Sequence, residues 1–179
     1  MKEIDDALLR ACQQGDMRAF ERLFQIYREP IFRLAYRFTG NRDDAEDLTQ
    51  DIFVKVFERI CSFRHESSFT TWLYRLTVNT CLNFKRDAKQ TESLGVIDEL
   101  EEAINPETIC EQIELQRKVE AEIAALPQAL KVAFVLVVLE GMPYRDVAEI
   151  LDLTVDAVRM RVSRARQILR EKLLRYLEG

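Results

Sequence analysis

Apolar residues recur at three- and four-residue spacing along almost the whole chain, and no convincing stretch alternates apolar with polar. That period puts one stripe of each segment toward a core and offers nothing to a half-buried sheet, so the expected fold is all-α. The pattern fails once, over 87–112. There Gly95 and Pro106 interrupt TESLGVIDELEEAINPE, and residues 90–112 hold seven acids and no Lys or Arg. This composition predicts a flexible acidic linker with at most a short helix around Ile97–Ala103. The chain therefore reads as two small helical domains, 1–89 and 113–179, joined by a tether over 90–112.

In the first domain, Ile4, Leu8, Leu9 and Cys12 mark a helix ending near Gly15, and Asp16 is placed to cap the next, with Phe20, Leu23, Phe24 and Tyr27 inward. Pro30 suits the first turn of a new helix that buries Ile31, Leu34, Ala35 and Phe38 and stops at Gly40. Asp43 and Glu46 have capping-box spacing ahead of a helix with Leu48, Ile52, Phe53, Val56, Phe57 and Ile60 on its buried side. The other side carries Asp47, Gln50, Asp51, Val54 and Glu58. A solvated face is the ordinary reading of such a stripe, but Val54 among acids makes it a candidate docking surface. After a polar break over 61–68 comes a helix from Phe69 to about Lys85, with Trp72, Leu73 and Leu76 as core. Tyr74, Asn79, Asn83, Lys85 and Arg86 leave an aromatic, amide and basic remainder of the kind that holds single-stranded bases; packing alone also accounts for Trp72.

In the second domain, Ile113, Leu115, Val119 and Ile123 restore the period. Pro127 opens a helix that is apolar nearly all round from Val132 to Leu139 and closes at Gly141, so it is central to a small bundle or partly covered by a partner. Tyr144–Leu151 is a two-turn amphipathic segment. Asp152 and Leu153 interrupt it, and Thr154 is placed to cap a second helix. There Val155, Val158, Val162, Ala165 and Leu169 form the apolar stripe, while Arg159, Ser163, Arg166 and Arg170 line another face beside Asp156 and Met160. A short helix, a turn and an arginine-fronted helix fit a helix-turn-helix, although charged faces on ordinary amphipathic helices are common.

Net charge is −5 over 179 residues, which superficially argues against nucleic acid. Distribution reverses that reading, because the acid excess sits in the linker while residues 159–175 carry seven basic side chains against Glu171 alone. Four cysteines, Cys12, Cys61, Cys81 and Cys110, form no CxxC pair, and His65 is the sole histidine. Those counts give little support to a structural zinc and fit reduced thiols. Glycine-rich phosphate loops, HExxH and GxSxG are absent from the sequence, and so is any run of about 18 or more apolar residues. The expectation is a non-enzyme without metal or cofactor, without a small-molecule substrate, and cytoplasmic.

Two motifs then carry a resemblance. DAEDLTQDIFVKVF (Asp44–Phe57) followed by FTTWLYRLTVNTCLNFKR (Phe69–Arg86) resembles the second region of extracytoplasmic-function sigma factors, group 4 of the sigma-70 family. ALPQALKVAFVLVVLEGMPYRDVAEILDLTVDAVRMRVSRAR (Ala125–Arg166) resembles their fourth region. The resemblance implies a promoter-specificity subunit of bacterial RNA polymerase, with core polymerase (β′ clamp helices and β flap) and promoter DNA as partners. It assigns the clamp contact to Asp47, Gln50, Asp51 and Val54. It assigns the melted −10 element to Phe63, Arg64, Phe69, Asn79, Lys85 and Arg86, and the −35 duplex to Arg145, Arg159, Met160, Ser163, Arg164 and Arg166. On the helical wheel Arg164 falls toward the flank of its helix.

The sequence departs from the family pattern at Pro143, where a hydroxyl cap is usual, at Asp156-Ala157 in place of Gly-Thr, and at Val138 in place of a charge. The family also implies an anti-sigma partner, which in a membrane-bound form would hold the chain at the inner membrane face. The competing reading is a freestanding helix-turn-helix regulator that binds its operator without polymerase.

Overall fold

The computed structural model describes residues 4–91 and 108–177, with side chains over 4–84 and 115–174. It divides into two compact units, Met1–Gly95 and Val96–Gly179, and the described residues of both are helical without a strand. The expected helix around Ile97–Ala103 lies outside the described residues, as does the side chain of Cys110.

The first unit contains α1 (Asp6–Gln13), α2 (Met17–Thr39), α3 (Arg42–Arg59), a 3₁₀ turn (Ile60–Ser62) and α4 (Phe69–Thr91). Asp16 caps α2 as expected, accepting from the backbone N–H of Arg18 at 2.8 Å and of Ala19 at 3.2 Å. Gly40 ends α2 in the left-handed region at φ 74°, where a side chain would be strained. The core is made by Leu23, Tyr27, Ile31 and Leu34 of α2, Leu48, Ile52 and Val56 of α3, and Leu73, Tyr74 and Val78 of α4. Two buried hydroxyls are satisfied within their own helices, Thr49 Oγ1 donating to the Ala45 carbonyl at 2.6 Å and Thr77 Oγ1 to that of Leu73 at 2.9 Å, while Thr70 Oγ1 pairs across helices with the Tyr27 hydroxyl at 3.3 Å.

Four sequence expectations change here. Pro30 does not restart a helix; it lies inside the 23-residue α2. Its missing N–H frees only the carbonyl of Ile26, itself an exposed residue, while Tyr27 and Ile31 on either side are buried and keep the helix on its core. The cap of α3 is Asn41, whose side chain accepts from the Asp44 N–H at 3.1 Å; Glu46 pairs instead with Arg42 at 3.1 Å. Phe57 is 46% exposed and packs edge-on against Phe20 at 5.1 Å. Tyr74, expected among the surface remainder of α4, is fully buried.

The second unit contains α5 (Thr108–Ala124), α6 (Gln128–Phe134), a π-helical turn (Val135–Leu139), α7 (Tyr144–Leu151) and α8 (Val155–Leu177). Val158, Val162, Ala165 and Leu169 of α8 are buried against α6 and α7, and Lys172 pairs with Glu122 of α5. The all-round apolar run is explained by burial, since Val132 through Leu136 are inside. Of that run Val137 is half-buried, and Val138 and Leu139, each 37% exposed, reach the surface.

Candidate nucleic-acid interface

On α3 the residues opposite the core, Asp47, Gln50, Asp51, Val54 and Glu58, are all exposed. Val54 is 56% exposed, an apolar side chain framed by carboxylates on a helix whose back is fixed by Ala45, Leu48, Ile52 and Val56. The negative stripe with an apolar centre suits a basic protein surface with a shallow apolar contact.

The loop from Phe63 to Ser68 is held from below by rings. Phe63 and Phe69, expected at the melted strand, are only 6% and 5% exposed. Phe63 lies 4.8 Å from His65, 5.8 Å from Phe69 and 5.5 Å from Trp72, centroid to centroid, and Phe69 lies 5.7 Å from Tyr27. Such offset and edge-on pairs fix side-chain positions beyond what burial alone would do. His65 stands at φ 57°, in the left-handed region that non-glycine residues enter rarely. Ser68 then caps α4, its Oγ accepting from the Thr71 N–H at 3.0 Å. Above these rings the loop exposes Arg64, His65 and Glu66, and α4 exposes Asn79 and Asn83. A cavity of about 200 Å³ opens between the loop, at His65, Ser67 and Ser68, and α1, at Asp6 and Leu9. Lys85 and Arg86 continue α4, with side chains outside the described residues.

One residue at this loop was not singled out from the sequence. Gln13, the last residue of α1, donates from Nε2 to the carbonyls of Ile60 at 3.2 Å and Phe63 at 3.0 Å. Cys61 returns a bond, its Sγ donating to the Gln13 carbonyl at 3.3 Å. Hydrophobic periodicity carries no signal for such a side chain, because Gln13 is polar and sits at a helix end.

In the second unit the helix-turn-helix geometry is explicit. Asp152 takes the left-handed conformation, φ 52° and ψ 53°, at the end of α7, and the Leu153 N–H bonds back to the Ala148 carbonyl at 2.9 Å. Thr154 caps α8 as expected, its Oγ1 accepting from the Ala157 N–H at 3.1 Å. Pro143 caps α7 without a side-chain bond. Arg159, Met160, Ser163, Arg164 and Arg166 are exposed together on α8, and Arg145 is exposed on α7. Arg159 is bound to Asp156 at 3.0 Å, so the residue nearest the helix start already has a carboxylate partner. The described residues thus bring five of the −35 candidates onto one helix, fixed from behind by its own core stripe. No described helix is long and apolar enough to cross a membrane.

The chain matches two family models, Sigma-70 region 2 over residues 23–91 and Sigma-70 region 4 over residues 116–169. It is 39% identical over 180 residues to the ECF RNA polymerase sigma-E factor of Haemophilus influenzae, covering 94% of this chain and 95% of that protein. Against the factor of the same name from Escherichia coli K12 it is 34% identical, with 94% of each covered. Among solved structures it resembles CnrH in complex with the cytosolic domain of CnrY, with a TM-score of 0.72, 25% identity, and 93% and 95% of the two chains covered. It also resembles the sigma factor RpoE in complex with the anti-sigma factor NepR from Bartonella quintana, with a TM-score of 0.69, 28% identity, and 86% and 96% covered.

Proposed function

The chain belongs to the ECF RNA polymerase sigma factors, and from that membership we propose how its surfaces divide the work of promoter-directed initiation. Core polymerase and promoter DNA are its partners. The observation that carries the reading is the arginine face of α8, held outward by a buried apolar back and preceded by the left-handed turn at Asp152.

Residues 1–89 form the polymerase-docking and −10 unit, 113–179 the −35 unit, and 90–112 joins them, with α4 running into it to Thr91 and α5 starting within it at Thr108. The α3 stripe of Asp47, Gln50, Asp51 and Val54 docks on the β′ clamp helices, its acids drawn to a basic surface. The second unit meets the β flap and carries α8 into the major groove. Arg159, Met160, Ser163 and Arg164 face base edges, and Arg166 and Arg145 face phosphates.

At the −10 element, Arg64 and Asn79, with Lys85 and Arg86 farther along α4, meet the displaced non-template strand, while Phe63 and Phe69 shape the loop from beneath. Extruding a base costs a few kcal/mol, offset by capture and by polymerase contacts. No covalent bond is made or broken, so the factor acts without catalysis, metal or cofactor. It works in the cytoplasm, and an anti-sigma protein covers its docking faces, a reading supported by its likeness to the sigma factor RpoE in complex with the anti-sigma factor NepR; a membrane-bound partner would hold it at the inner face.

Open-complex formation on start-site-mapped promoters tests this. Core polymerase plus the chain is expected to give permanganate-reactive thymines across the −10 element, and neither component alone gives them. Tight, polymerase-independent duplex binding without melting would instead identify a freestanding regulator, which the family membership disfavours.

A further inference from the structure

The loop read above as the −10 reader is tied to a helix outside the matched region-2 segment. That segment begins at residue 23, whereas α1 ends at Gln13. The Gln13 amide spans the 3₁₀ turn, donating to Ile60 O at its start and to Phe63 O just past its end, at 3.2 and 3.0 Å. Cys61 Sγ, in the middle of the turn, donates to Gln13 O at 3.3 Å. Three bonds therefore tie α1 to the backbone immediately before Arg64 and His65, where the turn itself closes on one bond, from the Phe63 N–H to the Ile60 carbonyl at 3.1 Å. The turn has only three residues, and past it the backbone leaves helical geometry, with Phe63 at ψ 119° and His65 at φ 57°. A single side chain that bonds the carbonyls at both ends, adding to the turn's own bond at Ile60 and supplying the donor at Phe63, ties the start of the exposed loop to α1.

The same helix forms one wall of the cavity whose other wall is the loop, through Asp6 and Leu9. The width of that cavity depends on how α1 and the loop are held together, and Gln13 is the polar link between them.

We propose that Gln13 is a positioning residue for −10 recognition: through Ile60 O and Phe63 O it fixes the loop in the conformation that discriminates the captured non-template base. It touches no DNA. The inference rests on the loop being the −10 reader, and its effect is on base selectivity rather than on fold or on polymerase binding.

The test uses full-length chain with core polymerase. Each −10 base pair is substituted in turn, and the ratio of open complex on the parent promoter to that on the substituted one is measured for wild type, Gln13→Leu and Gln13→Asn. Leu keeps the bulk without a donor, and Asn keeps the amide but is one methylene too short to span the turn. For wild type at least one position is expected to discriminate by about tenfold or more, the scale of a base-capture contact. For both variants that ratio is expected to fall to about twofold or less, with core affinity and −35 duplex affinity unchanged. A retained wild-type ratio in folded Gln13→Leu and Gln13→Asn overturns the proposal, as does a uniform loss across all positions together with weakened core binding, which marks a purely structural role. Absence of any discriminating position in wild type overturns the loop reading itself, and the proposal with it.

Discussion

Arg159 Nη1 donates to Asp156 Oδ1 at 3.0 Å, one turn apart at the start of α8 and with side chains 64% and 87% exposed. An exposed pair of this kind adds at most about 1 kcal/mol to stability. Its consequence lies in function, because it sets a carboxylate beside the first arginine of the proposed reading face.

Asp156→Ala is therefore expected to tighten binding of the −35 duplex and to steepen its salt dependence by about one counterion, because the negative charge facing phosphate is gone. It should also lower stability by roughly 0.3–1 kcal/mol, since Asp156 lies in the first turn of α8 where the helix dipole favours an anion. Titrations of a −35 duplex across a salt series check both signs; an unchanged or shallower slope would show that the carboxylate does not face the backbone.

Arg159→Ala and Arg166→Ala should separate by type of loss. Removing Arg159 is expected to cost ~1–3 kcal/mol of discrimination at one base pair. Removing Arg166 should weaken all sequences alike and reduce the salt slope by about 1. Parallel binding curves on parent and singly substituted −35 duplexes distinguish them, and identical behaviour of the two variants would refute the division.

Val54→Lys and Asp51→Lys are expected to weaken core-polymerase binding by about tenfold or more, since each places a cation where the partner surface is read as basic. Binding to the −35 duplex should not change, because these residues belong to the other unit. Competition against labelled wild type for core polymerase gives the first quantity. Normal competition by both variants would remove α3 from the interface.

Pro30→Ala should raise stability by roughly 1–3 kcal/mol, restoring an N–H donor to the Ile26 carbonyl inside α2. Part of the gain is offset by the freer unfolded chain. Urea unfolding of the two proteins side by side measures it, and a destabilised variant would mean that the proline is fitted to a bend the alanine cannot supply.

Burial pushes the Cys81 thiol up to about 12 from 9.0, opposed more weakly by a backbone hydrogen bond and then by the charge of Lys55. The folded state thus keeps its proton after the unfolded chain has lost it. The sign follows: Cys81 supports folding fully below about pH 9, and that support is lost as pH rises toward 12. The stability difference between wild type and Cys81→Ala should shrink across this window, as denaturant unfolding at stepped pH would reveal. Native-state thiol labelling at pH 8 should modify exposed Cys61 ahead of Cys81.

Much of this was legible in the sequence because burial and helical period are the same information. The stripe of α8 from Val158 to Leu169 and the caps at Asp16 and Thr154 follow from spacing and side-chain chemistry alone. Pro30 and Asp43 mislead because local signals lose to packing: a proline survives inside a helix when core residues such as Tyr27 and Ile31 hold it on both sides, and Asn41, two positions earlier, outcompetes Asp43 for the cap. The rings of Phe63 and Phe69 look alike on paper whether they face a base or a core. Only the arrival of Tyr27 and Trp72 from elsewhere in the chain decides that they point inward. Gln13 lay beyond sequence reasoning for the same cause, its partners being carbonyls 47 and 50 positions away.

The π-helical turn at Val135–Leu139 has one residue more than an α-helical turn, with the Glu140 N–H reaching back to the Val135 carbonyl at 3.0 Å. One surplus residue rotates everything downstream by about 100°. It thereby sets the phase at which the chain enters α7. A single-residue deletion within this turn could be taken up as ordinary α-helix, leaving α6 continuous while swinging Met142 out of its buried seat. The turn is thus a point where chain length, rather than side-chain identity, tunes the aim of the helix pair that follows.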